Sequence, residues 1–197
     1  ATEKLQKANI RALASYYHAR FQKLKDGQAM KESYKQAMHW YREYYYLFPL
    51  DDHAPQMSKL LAELYLENGD YHEAAVEFER IAKNDPTSEL AAESAYAALF
   101  AHREHLKELP KSRKRAAREH IADQSLTFAE NYPDHAETGA VLTATAYDFL
   151  LLKHFSAATR AAKQVISDYP DSDPLQIESS WIVLADAEFE AGQYADA

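Results

Sequence analysis

Residues 60–86 read LLAELYLENGDYHEAAVEFERIAKNDP, and the fold is decided in this stretch. Leu60, Leu61, Leu64 and Tyr65 recur at steps of three and four, the spacing of one face of an α-helix. Asn68-Gly69-Asp70 breaks the pattern. A second stripe then runs through Tyr71, Ala74, Ala75, Phe78 and Ile81 to Pro86. Proline cannot continue a helix and biases the residue before it toward extended backbone. Two helices joined by so short a turn must pack antiparallel, as a hairpin.

The hairpin recurs along the chain. Tyr46-Leu47-Phe48-Pro49, Lys83-Asn84-Asp85-Pro86, Glu130-Asn131-Tyr132-Pro133 and Ser167-Asp168-Tyr169-Pro170 each close an amphipathic run, and their prolines lie 37, 47 and 37 residues apart. Two equal spacings and one longer by ten predict repeated helix hairpins with one elongated member. Ala144, Tyr147 and Leu151 lead into Phe155, Ala158, Ala162 and Val165. Trp181, Leu184 and Ala185 lead into Gly192, Tyr194 and Ala197. Helices are predicted over 3–25, 28–47, 54–68, 71–84, 88–108, 112–131, 135–152, 155–168 and 175–191, with Asp51, Ser88 and Asp173 placed to cap three of them. The hairpins are then about 3–49, 54–86, 88–133, 135–170 and an incomplete 175–197, in one array over 1–197. A single hairpin cannot bury its apolar face, so neighbours must stack. The incomplete last hairpin leaves Trp181, Ile182, Leu184 and Phe189 without their usual cover. That predicts a fragment of a longer array, or self-association through this helix.

Composition agrees. The 197 residues include 4 Gly and no Cys, are 47% hydrophobic, and carry a net charge of −9. Gly scarcity beside abundant Ala, Leu, Glu and Lys predicts an all-α chain of about nine helices. Without Cys there is no disulfide framework, thiolate metal site or cysteine nucleophile. The negative charge argues against nucleic acid as a partner, and no run is long and apolar enough to span a membrane.

The pattern Leu61-Ala62-x-x-Tyr65-x-x-x-Gly69-x-Tyr71-x-x-Ala74-x-x-x-Phe78-x-x-Ile81-x-x-x-x-Pro86 resembles the tetratricopeptide repeat. Trp181-x-x-Leu184-Ala185, followed by Gly192-x-Tyr194-x-x-Ala197, matches its first half. The hairpin ending at Pro170 matches less well, with Lys153 at the turn glycine and Phe155 at the aromatic position. The hairpins ending at Pro49 and Pro133 are degenerate. The resemblance implies a right-handed α-solenoid of antiparallel hairpins whose first helices line a concave groove. Carried over, the partner-binding groove comprises Gln56, Lys59, Glu63, Leu66, Thr143, Tyr147, Leu150, Ile182, Asp186 and Phe189. The Lys and Asn set with which some members grip a C-terminal carboxylate is missing, only Lys59 being suitably placed.

Sites of chemistry are sparse. His102 and His105, one helical turn apart, with His120 on the following helix, would be the nucleus of a metal-dependent hydrolase, but two ligands at this spacing do not complete a site. The run Lys111-Ser112-Arg113-Lys114-Arg115, with Arg118, is the one dense basic patch; it reads best as a solvated loop and first turn, the alternative being a site for an anionic partner, nucleic acid or lipid headgroups. Tyr34, Trp40, Tyr41, Tyr44, Tyr45, Tyr46 and Phe48 crowd one helix and cannot all face inward, so core packing takes about half and some should be exposed, as aromatics at interfaces often are. No phosphate loop, nucleophile elbow or zinc-protease motif is present. The expectation is a non-catalytic scaffold with no cofactor and no metal, binding a peptide or partner helix in its concave groove. The exits Asn131-Tyr132-Pro133-Asp134 and Asp168-Tyr169-Pro170-Asp171 resemble those of bacterial envelope members: outer-membrane assembly lipoproteins and Tol-Pal accessory proteins. This implies a periplasmic or outer-membrane-associated home. The alternative is a cytoplasmic regulatory module joined to a catalytic or DNA-binding domain.

Overall fold

In the computed structural model, which describes residues 2–192, the Asn68-Gly69-Asp70 break is a tight turn between helices. Gly69 adopts φ 83 and its N–H donates to the Leu66 carbonyl, while the Asp70 N–H reaches back to Tyr65. These two bonds cap orphan carbonyls at the helix end, and the left-handed backbone they need is cheap for glycine. The described residues form nine α-helices and no strand. They are α1 (Thr2–Lys23), α2 (Gln28–Leu47), α3 (Ala54–Asn68), α4 (Tyr71–Asn84), α5 (Ala91–Glu108), α6 (Lys111–Asn131), α7 (Thr138–Leu152), α8 (Phe155–Asp168) and α9 (Pro174–Glu190). Tyr194 and Ala197, assigned to the last hairpin from sequence, lie outside the described residues.

All four proline exits share one geometry. Each residue before proline ends its helix, and its carbonyl accepts from the residue three further on: Phe48 from Asp51, Asp85 from Ser88, Tyr132 from His135 and Tyr169 from Ser172. This is a β-turn with proline at its second position, where the fixed φ fits. After three exits a second turn follows, with Ala54, Ala91 and Thr138 donating to Asp51, Ser88 and His135. That second turn corrects two predicted starts: α5 begins at Ala91 rather than 88, and α7 at Thr138 rather than 135. It also corrects two caps. Ser88 is a turn residue, and Asp51 lies three residues before α3, accepting from the His53 N–H. Asp173 does cap α9, accepting from Leu175 at 2.8 Å.

The chain divides into two compact units, Ala1–His102 and Arg103–Ala197, the boundary falling within α5. In the first, α1 packs on α2, α2 on α3 and α3 on α4. Its core joins Ala14, Ala37, Tyr41 and Tyr44 to Leu61, Leu64, Tyr65, Ala74, Phe78 and Ile81, with Ala98 and Ala101 from α5. In the second, α6 packs on α7, α7 on α8 and α8 on α9, and α7 also touches α9. The core there centres on Ala122, Ala146, Phe149, Ala158, Ala162, Leu184 and Ala187. Alanine at these contacts lets helix axes approach closely. Gly139, for which the sequence offers no role, has one here. A Cβ at this position would lie 2.3 Å from Ser172 Oγ and 3.3 Å from Tyr169 Cβ, so its absence lets the exit loop after α8 rest on the first turn of α7.

Candidate binding surface

The buried stripe of α7 is Val141, Leu142, Thr145, Ala146, Asp148, Phe149 and Leu152, which turns Tyr147 and Leu151 outward. On α9 the buried set is Ser180, Val183, Leu184, Ala187 and Glu188, which turns Trp181, Ile182 and Phe189 outward. Tyr147, Ile182 and Phe189 are 53%, 55% and 59% exposed. Contiguous apolar side chains this exposed mark interfaces, and these three lie on two packed helices. Beside them is an open cleft of about 490 Å³ lined by Leu150, Lys153, Phe155, Asp186, Phe189 and Glu190.

Three predicted groove residues, Leu150, Asp186 and Phe189, therefore meet at one cleft, with Tyr147 and Ile182 exposed on the same two helices. Thr143 is tied up nearby: its hydroxyl donates to the Gly139 carbonyl at 2.9 Å and lies 3.3 Å from Ser180 Oγ. The predicted positions in the first unit are quieter. Gln56 is exposed, Lys59 donates to Glu63 at 2.5 Å, and Leu66 is partly buried against the core.

Electrostatics in the second unit turn on a residue the sequence reading missed. Asp148 is 1% exposed, with one carboxylate oxygen 2.7 Å from Arg103 Nη1 and the other 2.5 Å from Arg118 Nη1. A buried carboxylate persists only when paired. The signal was present, since Asp148 falls on the apolar stripe of α7 at steps of three and four from Thr145, Val141 and Leu152. Local partners account for much of the basic run. Arg118 serves Asp148, Arg115 pairs with Glu119 at 3.2 Å, and Lys114 donates to the Lys107 carbonyl at 3.1 Å.

Among the histidine candidates, His102 and His105 lie beside carboxylates. His102 Nε2 lies 2.6 Å from Glu79, and this bond, aided by Lys83 against the opposing cost of burial, lowers the Glu79 carboxyl to about 2. His105 Nδ1 is 3.9 Å from Glu108. In the aromatic cluster Tyr41 and Tyr44 are fully buried, whereas Tyr46 is 79% exposed. Burial and a hydrogen bond to Asp51 push the Tyr44 phenol up to about 12. The same bond, with the His53 N–H and Lys7, holds Asp51 well below the usual carboxylate range. A further network missed from sequence crosses α1, α2 and α3: His18 is buried, with Nδ1 2.9 Å from Tyr41 Oη and Nε2 3.1 Å from Glu67. No protein-family model matches the chain, and no curated protein matches it in sequence.

Proposed function

We propose that this protein is a non-catalytic interaction scaffold whose binding surface is the α7–α9 face, taking a peptide or partner helix. The observation that carries the reading is the cleft where Leu150, Asp186 and Phe189 meet beside exposed Tyr147 and Ile182. The proposal includes a tetratricopeptide-like arrangement of hairpins within each unit. It is supported by the shared turn at Gly69 and Lys153, by the common proline exits and by the packing of α7 on α9, which skips a helix. First helices of successive hairpins lie side by side in such a stack. The exit motifs Asn131-Tyr132-Pro133-Asp134 and Asp168-Tyr169-Pro170-Asp171 favour a bacterial envelope complex over a cytoplasmic regulatory module.

The test is affinity capture with the 197-residue chain and with its Tyr147→Ala and Phe189→Ala variants. Both side chains are exposed, so truncating them leaves the fold intact. Partner yield should fall about tenfold or more in the double variant, as for side chains that anchor an interface. Undiminished capture by both single variants and the double variant would sink the reading.

A further inference from the structure

We propose that the partner of the α7–α9 face is a cationic amphipathic segment, a helix that sets Lys or Arg beside apolar side chains. The inference rests on the reading of this face as the binding surface and adds the chemistry of what it takes. On α9 the exposed charges are Glu178, Asp186 and Glu190; the first two share the outward side of Ile182 and Phe189, and Glu190 joins Asp186 and Phe189 at the cleft. At 100° per residue, Glu178, Ile182, Asp186 and Phe189 span less than a quarter of the helix circumference. The α9 sequence contains no Lys, Arg or His.

The remaining charges of these helices point elsewhere. Glu188 is buried and bonded to Lys163 of α8 at 2.9 Å. Asp148, the one charged residue of α7, is spent on Arg103 and Arg118. The cleft itself sets two carboxylates, Asp186 and Glu190, against a single cation, Lys153. An apolar surface bordered by carboxylates attracts a cationic segment and rejects an acidic one, because like charges brought together and desolvated are costly. The same charges oppose a second copy of the chain on this face, since a two-fold contact would set α9 acids against themselves.

The experiment uses the 197-residue chain and two labelled helical peptides of equal length and hydrophobicity, one built from Leu and Lys, the other from Leu and Glu. Fluorescence anisotropy at low and at physiological ionic strength reads the affinities. The Leu–Lys peptide should bind about tenfold or more tighter than the Leu–Glu peptide, the sum expected from three partly exposed charge pairs. The triple variant Glu178→Lys, Asp186→Lys, Glu190→Lys should reverse the preference, and the triple Gln variant should abolish it. A control triple, Glu32→Lys, Glu73→Lys, Glu89→Lys, changes net charge equally in the first unit and should leave it intact. Equal losses in the control and the α9 triple would overturn the inference, exposing general attraction to an acidic protein. Equal binding of both peptides, lost in Ile182→Ala with Phe189→Ala, would overturn the cationic chemistry while leaving the face as the binding surface. Binding unaffected by those two changes would overturn both readings. Binding of neither peptide would overturn the inference. A concentration-dependent dimer in sedimentation that Phe189→Ala dissociates would also overturn it, assigning the face to a second copy.

Discussion

Lys153 occupies the backbone conformation that Gly69 occupies in the matching turn, with φ 63 against 83. Both close the same pair of bonds, Lys153 to Leu150 and His154 to Phe149 mirroring Gly69 to Leu66 and Asp70 to Tyr65. A Cβ in this region costs about 1 kcal/mol or more. Lys153→Gly should therefore raise stability by about 0.5–1 kcal/mol after the entropy cost of glycine. Urea unfolding with an unchanged m-value is the check. A second residue-scale expectation concerns Asp148. Replacing it by Asn removes the charge that Arg103 and Arg118 share and should destabilise the protein by about 3 kcal/mol, measured the same way. The turn at Lys153 was legible because its neighbours repeat those of Gly69. The Asp148 site was legible only by half: the helical period shows a carboxylate on a core face, but its partners lie 45 and 30 residues away, and no local pattern pairs them.

Among the elements, period and proline spacing gave the number and order of the helices, because both are local. They misplaced the starts of α5 and α7, since after Pro86 and Pro133 the chain makes two successive turns before becoming helical. Polar residues in those stretches look alike whether they cap a helix or close a turn. Of the small residues expected at hairpin contacts, Ala62, Ala74 and Ala158 are fully buried, as close approach requires, whereas Ala185 is only partly buried. Ala74→Leu should force α3 and α4 apart and lower stability by about 1–3 kcal/mol, a loss readable as a fall in midpoint by thermal circular dichroism. Gly139 was opaque to sequence, because the loop that needs its missing Cβ arrives from residues 169–172, far along the chain.

For the molecule as a whole, acid is the informative variable. The folded Glu79 carboxyl sits at about 2 against an ordinary 4.5, so the folded chain binds that proton less tightly than the unfolded chain does. The stability it contributes is complete above about pH 4.5 and is lost as pH falls toward 2. Asp51, also lowered, acts in the same direction. Glu79→Gln should flatten this part of the stability–pH curve by on the order of 1–2 kcal/mol, checked by urea midpoints near neutral pH and at about pH 3. The candidate surface was half legible at this scale. Its members on α7 and α9 follow from the repeat register, whereas Leu66, assigned by the same register, is drawn into the core of the first unit.

The two tryptophans of the chain fall one in each unit, Trp40 in the first and Trp181 in the second. Trp40 keeps its indole nitrogen buried, while Trp181 is 55% exposed on α9. The protein therefore carries two intrinsic dyes with different access to water. Iodide should quench the redder emission of Trp181 first and leave a shielded blue component from Trp40. Protection of the red component reports cover over the Trp181 side of α9, and loss of the blue component reports opening of the first unit, both without a label.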